Sequence, residues 1–235
     1  MSKHSKWSKI KNQKMSDDVK KGASFTKHSH AISVAAREGG DPEKNFKLRV
    51  AIETAKMASV PKDTIEKAIK RGAGELGDEE LFEVLYEGLG PGKVGIMIEA
   101  VTNNKNRTVN NIRKILENHG GALAQAGTLS WQFRHLGVIR LGVPRSDDLE
   151  LALMDFGAED IKEEDNGLTI YSTMSNFQNI LQGLNKIGLT PEYQGLEWVP
   201  KEMTAVDEPT RQKLEKLYDA LENDDDAQNY YTSEG

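Results

Sequence analysis

Cysteine is absent from the 235-residue sequence, so disulfide bonds, thiolate catalysis and cysteine-ligated zinc are all excluded. A chain without cysteine suits a reducing compartment, and we expect a cytoplasmic protein. Long apolar runs are also missing, and the first residues are charged, so we expect neither a secretory signal nor a membrane-spanning segment.

Catalytic signatures are missing as well. Gly88–Lys93 has the glycines and the lysine of a phosphate-binding loop, but Val94 stands where that motif needs serine or threonine. A strand pattern follows the loop instead of a helix, and no stretch resembles a nucleophile elbow. We therefore predict that the protein is not an enzyme and has no small-molecule substrate.

Metal-binding patterns are weak. His28 and His30 are two residues apart, so on a helix they point to different sides. The acidic stretches 163–165 and 224–226 lack the alternating ligands and central glycine of a calcium loop. We interpret these residues as solvated side chains and predict no metal site.

Charge is distributed unevenly along the chain. Residues 1–71 hold 17 lysines and arginines against 8 aspartates and glutamates, or +9, and the remainder holds 14 against 29, or −15, giving the net charge of −6. A basic third joined to acidic parts can dock on phosphate while the rest points away. The asymmetry favours a nucleic-acid partner.

The first fourteen residues, which we call the arm, are the most basic stretch. Ammonium groups displace the counterions condensed on a polyanion, and a tryptophan ring can stack on a base. Two alternatives remain open: the arm can be a solvated tail, and Trp7 can pack on the following helices. The candidate contacts in the arm are Lys3, Lys6, Trp7, Lys9, Lys11 and Lys14.

Three short helices are predicted after the arm. The first helix is predicted to start at Ser16–Asp18 and to stop at Gly39–Gly40. The second starts at Asp41–Pro42, an N-cap followed by a first-turn proline. The third opens at Pro61 and ends at Gly72. Alanine and isoleucine recur at helical spacing, which predicts a small three-helix bundle. Further phosphate contacts are expected from Lys27 and, in a second group, from Lys44, Lys47, Arg49, Lys62, Lys70 and Arg71.

Strand patterns follow from residue 78 onward. Two strands are predicted to flank the turn Gly88–Gly92, and Thr128–Phe133 is predicted to be a further strand. Between them a helix begins near Asn106, which can serve as its N-cap. Residues 138–199 then have the order βαββαβ, which is the ferredoxin-like pattern. A helix at 208–222 and a short strand near 229–232 complete the chain.

These elements predict an α+β fold in which the three-helix bundle precedes two ferredoxin-like α+β domains, one inserted in the other. The predicted domains are a basic helical domain with its arm at 1–77, a discontinuous domain made of 78–134 plus 205–235, and the inserted domain at 135–204.

The loop Asn104–Thr108 allows two interpretations. It joins a strand to a helix N-terminus, where free backbone N–H groups, asparagine amides and cationic side chains can face an anion. Asn106 and Arg107 are then contacts to a phosphate or to another domain. Alternatively, the loop only caps the helix.

Several long stretches together resemble the YebC/PmpR family. They occur in the family's order and extend from residue 5 nearly to the end, which makes the match specific. The stretches are HSKWSKIKNQK, FTK, AAREGGDPEKNFKLR, VPKDTIEKAIKRG, YEGLGPGKVGIMIEAVTNNKNRTVNNIRKILENHGG, GTLSWQF and DALENDDDAQNYYT.

The resemblance implies a helical domain, two α+β domains and no cofactor. It places the family's opening basic motif on Lys6, Trp7 and Ile10–Lys11, with a weaker basic continuation here. This chain has His28–Ala31 where the family tends to carry an arginine, so groups that titrate near neutrality replace a permanent cation.

Two roles are implied by the resemblance: binding promoter DNA to regulate transcription, and acting on the ribosome to relieve stalling, including at proline-rich stretches. We predict a DNA-binding transcriptional regulator. The alternative is a translation factor that binds rRNA, and a third possibility is a protein-interaction scaffold that uses the acidic domains.

Overall fold

The computed structural model describes residues 21–75, 81–164 and 167–235. Within these residues the helices are α1 Lys21–Ala36, α2 Phe46–Met57, α3 Lys62–Gly72, α4 Lys105–Asn118, α5 Asp147–Asp155, α6 Met174–Lys186 and α7 Glu208–Glu222. The strands are β1 Phe82–Leu89, β2 Gly95–Thr102, β3 Ala122–Leu123, β4 Phe133–Leu141, β5 Asp160–Glu164, β6 Gly167–Ser172, β7 Tyr193–Pro200 and β8 Ala227–Thr232. The predicted α+β class is confirmed.

The described residues form two compact units. One contains α1 to α4, α7 and the first sheet apart from the last two residues of β8, and it covers residues up to 129 together with 206–230; the other covers 130–205 and 231–235. The predicted division into three domains, with a separate helical bundle and an inserted domain, stays a prediction.

The first three helices share one apolar core. Its members come from α1, α2, α3 and the turn before α3: Ile32, Ala35, Ala36, Leu48, Ile52, Ala55, Val60, Ile65 and Ala68. Small residues let α1 and α3 approach closely, because a Cβ at Gly72 would overlap the Ser33 carbonyl oxygen and the Ala36 side chain. Ser33 adds a buried hydrogen bond from its hydroxyl to the Ala68 carbonyl at 2.9 Å.

The start of α2 differs from the prediction. Asp41–Pro42 was predicted to open this helix, but residues 42–44 form a turn and the helix begins at Phe46. Asn45 is the N-cap, since its side chain accepts from the Leu48 N–H at 3.1 Å. The same buried amide donates to the Ala35 and Gly39 carbonyls, each at 2.7 Å, so contact with the end of α1 selects this cap.

The first sheet has the strand order β3-β1-β2-β8. β1 is antiparallel to β2, with Phe82 opposite Thr102 and Leu89 opposite Gly95. Between these strands lies the predicted glycine-proline turn, in which Gly92 has a φ of +69°. Helices α4 and α7 share a core with this sheet, built around Ile96, Ile98, Ile112, Leu116, Leu214, Leu217 and Leu221.

The strand predicted at Thr128–Phe133 is wrong. Ser130–Gln132 is a 3-10 turn, and the strand that includes Phe133 continues to Leu141. The buried Glu87 carboxylate accepts from Gly127 N at 2.7 Å and from Leu129 N at 2.5 Å, so these donors are not available to a strand partner. A single side chain on β1 therefore sets the conformation of this loop.

The second sheet has the order β5-β6-β4-β7, and all of its pairs are antiparallel. Residues 133–200 supply its elements in the order βαββαβ. Helices α5 and α6 share its core through Leu153, Ile180 and Leu184, which pack with Ile139 and Ile170 of the strands. No helix in the described part of the chain is long and apolar enough to cross a membrane.

Candidate nucleic-acid interface

The arm residues predicted to contact polyanion lie outside the described residues. They are Lys3, Lys6, Trp7, Lys9, Lys11 and Lys14. The other nine predicted site residues are described, and they lie in three different settings: on α2, α3 and the turn before α2, on α1 in contact with the end of α7, and at the start of α4.

The lysines of the α2 region lie outside its core. Leu48, Ile52 and Ala55 are buried, whereas Lys47 and Lys56 are separated by nine residues, so the helical period places them on opposite flanks of this apolar stripe. Both are exposed, as is Lys44 in the preceding turn. The apolar spacing that builds the core is thus also what exposes these cations.

Lysines of this region form only weak ion pairs. Lys44 pairs with Asp41 at 3.4 Å, Lys62 pairs with Glu66 at 3.6 Å, and the two lysine side chains are 86% and 87% exposed. Lys47 contacts Glu38 at 2.5 Å, again between exposed side chains. Exposed pairs contribute only about 0–1 kcal/mol each, so a phosphate can replace the carboxylate at little cost.

Arg49 is held more firmly than the lysines. Its guanidinium donates to the Pro42 carbonyl at 3.2 Å and lies 5.6 Å from the centre of the Phe46 ring. Lys70 and Arg71 occupy the last turn of α3, where the helix dipole favours cations. Lys70 is exposed, whereas Arg71 is half-buried.

A groove of about 550 Å³ brings Arg49 and Lys62 together. Its lining combines apolar side chains with three cations and three carboxylates: Ile52, Val60, Ile65, Ile69, Pro42, Arg49, Lys56, Lys62, Glu43, Glu53 and Glu66. Lys56 was not among the predicted contacts, although it follows Arg49 by seven residues, which on a helix returns to the same face. That spacing is a signal in the sequence that points to Lys56.

Lys27 is engaged inside the protein. Its ammonium donates to the Glu222 carbonyl at 2.8 Å and lies 3.5 Å from the Leu221 carbonyl, at the end of α7. Burial lowers the pKa of Lys27, while nearby Asp224, Glu222 and Asp225 act in the opposite direction. In this conformation the ammonium stabilises a helix C-terminus.

The loop before α4 faces a carboxylate of its own chain. Asn104, and not the predicted Asn106, is the N-cap: its extended backbone lets the side chain accept from Arg107 N at 3.0 Å. The Arg107 guanidinium donates to both oxygens of Asp226, and Thr108 donates to Asp226 at 2.7 Å. Asn106 is exposed.

Lys105, next to these residues, contacts a ring. Its ammonium lies 4.1 Å from the centre of the Phe82 ring, a cation–π geometry. The predicted anion site before α4 is therefore satisfied largely by intramolecular contacts, which matches the capping interpretation of this loop.

Among the described residues, no group of three or more histidine, aspartate or glutamate side chains is arranged to hold a metal ion. In the Gly88–Lys93 loop, Gly90 N donates to the Val94 carbonyl at 2.8 Å, which closes a hairpin turn between two strands. No helix N-terminus follows this turn.

Comparison with known proteins identifies the family. The model described as the TACO1/YebC protein N-terminal domain matches residues 5–75, and that described as the TACO1/YebC second and third domain matches residues 81–233. A "probable transcriptional regulatory protein" of Kosmotoga olearia is 45% identical over 239 residues, which cover 99% of this chain and 94% of the relative. One from Thermoanaerobacter pseudethanolicus is 44% identical, with 98% and 96% covered.

A solved structure is also similar. A conserved hypothetical protein from Aquifex aeolicus superposes with a TM-score of 0.82 at 37% identity, over 93% of this chain and 91% of that protein. The similarity therefore extends from sequence to fold over nearly the whole length. Together with the family models, it establishes that the chain belongs to the YebC/PmpR family.

Proposed function

We propose that the protein is a nucleic-acid-binding regulator of gene expression, acting in the cytoplasm as a DNA-binding transcriptional regulator. The names of the curated relatives support regulation of transcription. The observation that carries the proposal is the set of exposed lysines on α2, α3 and the turn before α2, which are Lys44, Lys47, Lys56, Lys62, Lys67 and Lys70.

The chemistry of this surface suits a phosphate backbone. Binding releases the counterions condensed on the polyanion, and each neutralised phosphate adds to the free energy of association. The carboxylates that now pair with Lys44, Lys47 and Lys62 are exposed and exchangeable. The arm would add further cations to the same basic third of the chain.

A second candidate function is binding of rRNA as a ribosome-associated translation factor. It is favoured by the kind of cation present, since all of these exposed cations are lysines. Lysine is a point charge that positions a protein on phosphate, whereas base edges are read by bidentate side chains. Such a surface selects a polyanion without selecting a sequence.

Crosslinking in cells, followed by sequencing of the bound nucleic acid, tests both candidates. Promoter fragments should be enriched if the protein regulates transcription, and rRNA should be enriched if it acts on the ribosome. The matched control is a Lys44→Ala, Lys47→Ala, Lys62→Ala variant, which should lose most of either signal. Full function of that variant with no nucleic acid recovered would favour a protein-interaction scaffold instead.

A further inference from the structure

Lys27 joins α1 to the end of α7 across 195 positions of sequence. Cations near a helix C-terminus stabilise the last carbonyls and the negative end of the dipole. Here the ammonium bonds the Glu222 carbonyl at 2.8 Å, and the carboxylates of Glu222, Asp224 and Asp225 lie near enough to favour its charge. One ammonium thus faces a helix terminus and three acids.

The segment 222–226, which we call the acidic turn, is internally braced. The Glu222 carboxylate accepts from the Tyr230 hydroxyl at 2.9 Å. An oxygen of Asp224 accepts from the backbone N–H groups of Asp226 and Ala227, at 3.0 and 2.9 Å. Two of the three carboxylates, those of Glu222 and Asp224, are therefore held by contacts other than Lys27.

Burial and the nearby carboxylates act on the Lys27 ammonium in opposite directions. Burial of the ammonium disfavours its charged form, and the three carboxylates oppose that cost. At the C-terminal end of α1, the Arg37 guanidinium donates to the Leu81 carbonyl next to β1. Cations thus attach α1 through Lys27 in its first half and through Arg37 just after its last residue, and loss of the carboxylates would leave the burial of Lys27 uncompensated.

We propose that Lys27 and the acidic turn form an intramolecular latch, in which the acidic turn occupies a cation that a polyanion would otherwise neutralise. The latch rests on the proposed function in one respect, because the competitor is the bound nucleic acid. In the closed state Lys27 contributes nothing to phosphate binding. Opening of the latch releases α1 from α7 and adds one cation to the basic surface.

The first test compares the salt dependence of duplex DNA binding between the full-length wild type and a Glu222→Gln, Asp224→Asn, Asp225→Asn variant. The amides keep the hydrogen-bond acceptors but remove the charges. The log–log salt slope should steepen by about 1, because roughly 0.9 counterions are released per phosphate. Adding Lys27→Met to the variant should abolish this gain.

A matched control separates the latch from a general change in net charge. Glu83, Glu117 and Glu215 are exposed acids on β1, α4 and α7, and a triple glutamine variant of these residues removes the same three charges. Its slope should equal that of the wild type. Equal slopes for the two triple variants, or a gain that persists with Lys27→Met, would overturn the latch.

A second test needs no nucleic acid. Since the chain has no cysteine, cysteines placed at the exposed positions Ala31 on α1 and Lys216 on α7 can carry a fluorophore pair. Energy transfer should fall in the acidic-turn variant and stay constant in the control. Unchanged transfer in both would refute the latch, whereas a fall without any DNA binding would refute only the proposed function.

Discussion

Arg107 and Asp226 form an ion pair across 119 positions of sequence, with the guanidinium Nη2 at 3.0 and 2.9 Å from the two carboxylate oxygens. Asp226 is only 5% exposed, whereas about half of the Arg107 side chain is accessible. Thr108 also donates to Asp226, at 2.7 Å. The C-terminal part of the chain thus supplies the anion for the start of α4.

Replacing Asp226 with alanine should destabilise the protein. The change removes the acceptor for Arg107 and Thr108 and leaves the buried Thr108 hydroxyl with fewer partners. We expect a loss of roughly 2–4 kcal/mol in the free energy of unfolding, measured by urea denaturation. Arg107→Ala is the paired variant and should also destabilise the protein, because it leaves the buried Asp226 carboxylate without its counter-ion.

The same Arg107→Ala variant tests the role of this loop in binding. Because Arg107 is engaged with Asp226, the salt slope of DNA binding should be unchanged in the variant. A slope flatter by about 1 would show that Arg107 contacts phosphate and would favour the binding interpretation of the loop.

Lysines of the arm should account for about half of the salt dependence. If six cations neutralise phosphate, the log–log slope on duplex DNA is about −5, and replacing Lys6, Lys9 and Lys11 with alanine should flatten it by about 3. Fluorescence anisotropy at several salt concentrations measures the slope. An unchanged slope would remove the arm from the interface.

Substitution of Trp7 distinguishes its two possible roles. If the ring packs on the helices, Trp7→Ala should lower the melting temperature. If the ring stacks on a base, the variant should keep its thermal stability and lose about 1–3 kcal/mol of binding free energy to single-stranded nucleic acid. Trp7→Phe keeps an aromatic ring, so it should retain most of the melting temperature or of the binding free energy that Trp7→Ala loses. That result would show that the ring is responsible.

Gly72→Ala should destabilise the packing of α1 against α3. The new Cβ would overlap the Ser33 carbonyl oxygen and the Ala36 side chain, and overpacking of this kind costs about 1–3 kcal/mol. Gly40→Ala is the control, since its Cβ would make an ordinary contact of 3.4 Å with Ala73. Equal melting temperatures for the two variants would contradict the close helix approach.

Stability should fall above pH 10. The pKa values of Tyr171 and Tyr230 are raised, first because burial disfavours the phenolate and then because Glu164 and Glu222, respectively, repel it. Tyrosine in the unfolded chain titrates near pH 10. Above that pH the unfolded chain loses protons that the native state keeps, so the stability present below pH 10 declines as pH rises.

Thermal unfolding between pH 8 and pH 11 measures this decline. Tyr230→Phe removes one of the titrating phenols and should reduce the dependence of the melting temperature on pH above 10. An identical pH profile for the wild type and the variant would mean that Tyr230 ionises as readily in the native state as in the unfolded chain.

Local signals in the sequence predicted some elements accurately. The bounds of α7 agree with the prediction, because Asp207 caps the helix by accepting from Thr210 N at 2.9 Å and a proline follows in the first turn. The turn at Gly88–Gly92 and the order of strands after residue 133 were likewise visible in glycine placement and apolar period. These signals act over a few residues.

The predictions failed where the local conformation depends on a side chain or backbone group from another part of the sequence. The start of α2 depends on Asn45 reaching the end of α1, and the loop before β4 depends on Glu87 of β1. The two-residue strand β3 was missed because it is too short to show a period, although it pairs with Gly88 and Leu89.

The sequence by itself determined the family, the α+β class and the basic first third of the chain, because composition, caps and helical spacing are local properties. Only the tertiary structure decided which cations remain available. Lys44, Lys47 and Lys62 face solvent, whereas Lys27 and Arg107 are engaged by the end of α7 and by Asp226. Contacts across more than a hundred residues depend on how the chain folds back, which no local pattern encodes.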